Sequence, residues 1–264
     1  MMKTTAVVGA FVLLIAVAGP AMSESVVFTG QVPSFSFEGN SIPGLSAQAE
    51  FDLEGSLLTV TLTNISPYDV HIPAEVLTAL LFDIDAEPGA DPMLAPISAV
   101  LAEGSSVEFW NASNSSADHT STDGTYNGDV GAEWAYVEGA GISSTGLGVF
   151  GPGDRFDTTR DLWKPASPDG LQYGILPDAD DPTTGNSSVT GRQPLISDSV
   201  VFTFNVADGF SLAQITDVSF QYGTCFDEPN IPNVPVPEPA TVWLLGLGAM
   251  GLALRKRMKG DNAN

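Results

Sequence analysis

Between residues 49 and 63 the chain alternates strictly. Ala49, Phe51 and Leu53 are apolar, and Glu50, Asp52 and Glu54 between and beyond them are charged. After Gly55-Ser56 the alternation resumes, with Leu58, Val60 and Leu62 set against Thr59, Thr61 and Thr63. A period of two places one set of side chains on a core face and the other in water. It therefore predicts a hairpin turning at Gly55-Ser56. Shorter runs of the same kind predict strands over 26–29, 78–83, 97–101, 107–110, 133–137, 171–175, 199–206 and 216–222. Within 199–206, Phe202 and Phe204 point opposite to Val201 and Thr203. Residues 73–81 offer one short helical turn, and no long helical period appears away from the two termini. Many short strands punctuated by Gly, Pro, Asn, Asp and Ser predict an all-β domain, a β-sandwich of which the jelly roll is one form. Two polar stretches, 111–131 and 178–192, read as long loops.

The termini follow a different pattern. Met1-Met2-Lys3 is followed by 13 apolar residues, 6–18, then by Gly19-Pro20 and by Ala21-Met22-Ser23. A short basic start, an apolar stretch and small residues (Ala21, Ser23) at the −3 and −1 positions make residues 1–23 a signal peptide with a helical centre. Cleavage by a signal peptidase starts the mature chain at Glu24, outside the cytoplasm. Near the other end, residues 240–254 form an unbroken apolar run of 15 residues. As a transmembrane helix it spans about 22 Å, short of a bilayer core of about 30 Å. Arg255, Lys256, Arg257 and Lys259 follow directly. This stop-transfer cluster keeps 255–264 cytoplasmic by the positive-inside rule and puts the large domain outside, in accord with the signal peptide. The chain thus divides into a signal peptide (1–23), an extracytoplasmic domain (24–230), a Pro-rich extended linker (231–239), a membrane helix (240–254) and a basic tail (255–264). Gly246, Gly248 and Gly251 fit GxGxxG, but prolines stand where a strand must precede it. They read as small residues for helix packing in lipid.

Composition narrows the function. Of 32 acidic and 9 basic residues, 29 acidic and only 4 basic (Arg155, Arg160, Lys164, Arg192) lie between 25 and 236. Such a surface repels nucleic acid and attracts cations. A single cysteine, Cys225, excludes an intramolecular disulfide. His71 and His119 are the only histidines, and no GxSxG elbow or zinc-ligand spacing accompanies them. No catalytic residue and no metal ligand is therefore assigned, and no cofactor is required. Asp83, Asp85 and Glu87 alternate and would share one face if extended, which makes 83–87 a calcium candidate. Asp178, Asp180 and Asp181 form a second acidic turn. Trp110, Trp134, Tyr136, Trp163 and Tyr173 are able to stack on sugar rings. Trp134 and Tyr136 share a strand face and read as core, whereas Trp163 reads as exposed.

The C-terminal arrangement of Pro237-Glu238-Pro239, a short apolar helix and Arg255-Lys256-Arg257 resembles the PEP-CTERM sorting domain. The resemblance covers about 25 residues. It implies recognition of Pro237, Glu238 and Pro239 by a membrane-embedded exosortase in a Gram-negative bacterium that makes exopolysaccharide. It further implies transient residence in the inner membrane, then the cell surface or extracellular matrix. Segments such as Gly131-Ala132-Glu133-Trp134-Ala135-Tyr136 and Val218-Ser219-Phe220-Gln221-Tyr222-Gly223 resemble one group of exosortase-dependent surface proteins without an established activity. The function expected is thus that of an exported, non-enzymatic surface or matrix protein associated with exopolysaccharide. Its alternatives are a carbohydrate-binding module with exposed aromatics and a glycan hydrolase or lyase working through two carboxyls.

Overall fold

A computed structural model describes residues 23–86, 93–111, 116–118, 128–131, 133–144, 171–181, 183–190, 194–224 and 227–234. The described chain is all-β, with two short 3-10 turns and no α-helix. It opens with two long strands, β1 (Ser23–Phe37) and β2 (Asn40–Glu54), followed by β3 (Leu57–Asn64), β4 (Leu77–Ile84) and β5 (Leu94–Leu101). Three strands, β6 (Ser106–Asn111), β7 (Ser116–Asp118) and β8 (Trp134–Val137), precede β9 (Gly141–Ser144). The last five are β10 (Ile175–Leu176), β11 (Leu195–Ser197), β12 (Ser199–Val206), β13 (Ile215–Tyr222) and β14 (Asn230–Val234).

The alternation at 49–63 becomes β2 and β3, paired from Ala47↔Asn64 to Glu54↔Leu57. Gly55 takes φ 63°, a left-handed conformation that suits the first position of a two-residue hairpin turn. The core face is fully buried: Ala49, Phe51, Leu58, Val60 and Leu62 are all 0% exposed. β12 pairs with β3 on one side and β5 on the other, and buries Phe202 and Phe204 as the sequence predicts.

One hydrogen-bonded path runs β5-β12-β3-β2-β1-β14-β13-β4-β10-β11-β6-β7, with β9 on β4 and β8 on β9. The sheet folds over so that its halves face each other, and rings mark the contact. Phe51 of β2, which also meets Phe28 of the adjacent β1 edge-on at 5.5 Å, meets Phe82 of β4 across the fold at 5.5 Å. The chain of rings returns through Tyr136 of β8, 5.1 Å from Phe204, while Trp134 lies 5.0 Å from Phe202. Edge-to-face pairs add about 0.5–1.5 kcal/mol each beyond the area they bury. A bridge between Val100 and Asp129 brings the free edge of β5 to the segment entering β8, so the folded sheet is nearly closed.

Three features depart from the sequence expectation. Residues 171–175 are mostly a turn, with Tyr173 at φ 56°, and only Ile175 enters a strand. β9, β10 and β11 are two to four residues long, too short to show a period. The predicted linker begins too early: Asn230–Val234 is a strand, not a spacer. Its pairing with β13 (Phe220↔Ile231) and β1 (Gly30↔Asn233) overrides the extended-linker tendency of Pro232, whose ring is exposed. The predicted helices at 6–18 and 240–254 lie outside the described residues. Among those described, no helix is long and apolar enough to cross a membrane.

Candidate functional site

The folded domain hands over to its C-terminal tail at β14, the strand that joins the two halves of the sheet. Its N-terminal part pairs with β13 and its end pairs with β1, at Thr29↔Val234. The Asn233 side-chain carbonyl accepts the Thr29 N–H at 3.1 Å, and Ile231 is buried below. Gly30 makes this seam possible: a Cβ there would stand 2.5 Å from the Phe220 ring. The turn entering β14 is held by Glu228, whose carboxylate accepts the Thr224 N–H and the Thr224 hydroxyl, the latter at 2.8 Å. Gln221 donates to the Glu228 carbonyl at 3.1 Å and accepts from Asn230 at 3.2 Å. Beside this turn lies an open groove of about 390 Å³, walled by Val32, Phe35 and Phe37 of β1 and by Asp227, Pro229 and Ile231.

The antiparallel pairing of β1 and β14 fixes the geometry of both ends. β14 ends beside the middle of β1 and runs towards the end at which β1 begins. Ser23 is six residues from Thr29, roughly 20 Å along the strand. Val234 is six residues from Ala240, a reach of at most about 20 Å. The six residues 235–240 are thus long enough to reach the level of Ser23.

Of the residues singled out in the sequence, Ser23 opens β1. Ala21, Pro237, Glu238, Pro239, Arg255, Lys256 and Arg257 lie outside the described residues, as do Glu87, His119, Trp163 and Cys225. Trp134 is fully buried and Tyr136 is 5% exposed, so both serve the core. Burial, with Glu138 and Asp83 nearby, pushes the Tyr136 hydroxyl well above its ordinary range. Asp83 and Asp85 are exposed on either side of buried Ile84. The Asp83 carboxylate accepts the Ile84 N–H at 2.7 Å, and the Asp85 backbone is tied to Gln214.

The second acidic turn meets His71, which the sequence does not foretell. Asp180 accepts the Val70 N–H at 2.6 Å, and Asp69 accepts the Asp181 N–H at 3.3 Å. Buried Glu75 accepts the N–H groups of His71 and Ile72, at 2.6 and 3.3 Å. The His71 ring faces the Asp69 carbonyl at 2.9 Å. These contacts clasp two loops together. Desolvation, with Asp69, Glu108 and Asp181 nearby, pushes the Asp180 carboxyl up to about 6, although the Val70 N–H opposes the shift. Hydrogen bonds from Thr183 pull Asp181 the other way. Among the described residues no three His, Cys, Asp or Glu side chains are grouped to hold a metal.

Among the described residues, one wide, partly exposed face is shown only in part by the local pattern. The wet faces of β2 and β3 are continued by β1, β12 and β5 into a five-stranded outer face. One rung across it reads Ser25, Asp52, Thr59, Thr203, Ser98. The next reads Val27, Glu50, Thr61, Val201, Val100, and the one on the other side Ser23, Glu54, Leu57, Asn205, Ala95. The Ser25 hydroxyl reaches Glu50 at 3.5 Å. No aromatic ring stands on these rungs. Val27 and Leu57, with Ile97 at the β5 bulge, are exposed large apolar residues on this layer. The alternation in 50–63 is the visible signal of this face. Its width depends on pairings with β1, β12 and β5 that local patterning does not encode.

Comparison with known proteins gives one assignment. Residues 235–257 match the PEP-CTERM protein-sorting motif. The match begins at the residue after β14 ends. The chain therefore carries this sorting signal, the mark of an exported protein processed at the membrane by an exosortase and delivered to the surface. No curated protein matches the chain. The KRT10-binding region domain of the pneumococcal serine rich repeat protein PsrP aligns over 81% of this chain and 98% of its own, at 13% identity. Its TM-score of 0.23 is too low to support any argument.

Proposed function

We propose that this chain is a non-enzymatic surface or matrix protein that associates with exopolysaccharide after exosortase processing. Its β domain, a sandwich-like folded sheet, is the cargo and its tail is the temporary hold. The observation that carries this reading is the abutment of the sorting motif on β14. The motif starts at residue 235 and the last strand ends at Val234, so processing beyond β14 leaves the fold entire. The antiparallel course of β14 supports it, because the strand runs towards the end at which β1 begins, where a domain flanked by two membrane-directed segments needs its ends. A non-enzymatic role is favoured by His71, whose ring faces a backbone carbonyl within a loop clasp, and by the diversion of Asp180 to the same clasp. The aromatic-platform alternative rests on Trp163, which lies outside the described residues, while Trp134 and Tyr136 are buried as core residues.

The test is localisation of the Glu238→Ala chain in the producing cell. Retention in the inner membrane at full length is the expected result. Unchanged processing and surface delivery would reject exosortase handling through this motif. Co-fractionation of the wild-type protein with extracellular polysaccharide checks the second half of the reading.

A further inference from the structure

We infer that the outer face of the β1–β2–β3–β12–β5 layer binds a polysaccharide of amino sugars carrying free ammonium groups. This rests on the polysaccharide-associated reading above and specifies the surface and the sugar class. Between residues 25 and 236 the chain holds 29 acidic and 4 basic residues, and Glu50, Asp52 and Glu54 project from alternate positions of β2 onto this face. Those carboxylates are spaced by about 6.8 Å along the strand. Such a field disfavours an anionic polysaccharide and draws a cationic one. A neutral glycan is commonly gripped by stacking on rings, and these rungs hold none.

The remaining chemistry of the face matches an amino sugar group by group. Carboxylates take ammonium groups in charge-assisted hydrogen bonds. The hydroxyls of Ser25, Thr59, Thr61, Thr203 and Ser98 exchange hydrogen bonds with sugar hydroxyls. Val27, Leu57 and Ile97 offer apolar surface to the C–H faces of pyranose rings. Adjacent strands stand about 4.8 Å apart, close to the length of one sugar unit. A chain crossing the strands thus meets a fresh donor or acceptor at each residue. Each exposed ion pair is individually weak, about 0–1 kcal/mol. Binding therefore depends on several sugars engaging at once and weakens with salt.

The test uses the full chain in detergent, with hexamers of glucosamine and of N-acetylglucosamine as probes, measured by calorimetry at 50 and 300 mM salt. The glucosamine hexamer is expected to bind at least 10-fold more tightly than the acetylated one, and to weaken several-fold at the higher salt. The triple variant Glu50→Gln, Asp52→Asn, Glu54→Gln is expected to lose at least 10-fold in affinity, and Thr59→Val with Thr203→Val to lose a few-fold. A charge-matched control, Glu38→Gln, Glu103→Gln, Asp208→Asn, lies on exposed turns elsewhere and is expected to bind like wild type. Equal loss in face and control variants would reduce the effect to diffuse charge and overturn the assignment. So would preference for the acetylated hexamer, or binding only of polygalacturonate with calcium. If the wild-type protein binds the producing cell's matrix polysaccharide and the face triple variant binds equally well, this inference alone fails. If the wild type binds no matrix polysaccharide, the underlying reading fails.

Discussion

The two faces of one sheet layer, a single residue apart in register, carry opposite chemistry. Phe51, Val60 and Phe202 point inward and are fully buried, while their neighbours Asp52, Thr59 and Thr203 point outward. The inner face is an aromatic and aliphatic surface closed by the other half of the sheet. The outer face is a ladder of hydroxyls and carboxylates with no layer over it among the described residues. The difference separates what holds the fold from what is free to meet a partner. Inner residues are answerable to stability and outer ones to binding, and substitutions on the two sides should divide accordingly.

Phe202→Ala would break the inner face most severely. It removes a ring that touches Trp134 at 5.0 Å across the layers, and a loss of about 3–5 kcal/mol in denaturant unfolding is expected. Gly30→Ala attacks the seam that encloses the inner face. Its methyl would press on the Phe220 ring, at a cost of about 1–3 kcal/mol. Faster amide exchange in β14 than in β12 would show that the seam opens first.

Asp180 sharpens the comparison, because it is a carboxylate drawn partly inside. Its carboxyl sits at about 6 in the fold against an ordinary 3.8, so the charged form is the disfavoured one. The resulting penalty is complete above pH 6 and is relieved as pH falls from 6 towards 4. Asp180→Asn should stabilise the protein at pH 7.5 by about 1 kcal/mol, a figure discounted for partial solvent exposure. It should also flatten the gain in stability that the wild type shows on acidification over that range. Loss of the Val70 hydrogen bond without such flattening would contradict the assignment. Thr203→Val is the smallest change, with stability expected within about 0.5 kcal/mol of wild type. A larger loss would mean that the outer face is structural after all.

Legibility in the sequence followed the same division. The β2–β3 hairpin was readable because six residues alternate on each side of the turn that Gly55 supplies. β12 was readable for the same reason. β14 was hidden by Pro232, whose exposed ring and missing N–H suggest a spacer until the neighbouring strands are in place. β10 and β11 were hidden by their brevity. The sorting motif, matched over 235–257, was legible because Pro237, Glu238, Pro239 and the basic cluster are local signals read along the chain. The outer face was legible only where the hairpin wrote it. The rungs that join Ser25 to Asp52 and Thr59 to Thr203 come from long-range pairing.

The central claim is that a complete domain ending at β14 is separated from a temporary membrane hold. Intact mass of the protein recovered from the cell surface tests it most directly. The account predicts a chain that begins at Glu24, retains Val234 and lacks the apolar run with Arg255, Lys256 and Arg257. A surface protein that keeps that tail, or one cut before Asn230, would contradict it.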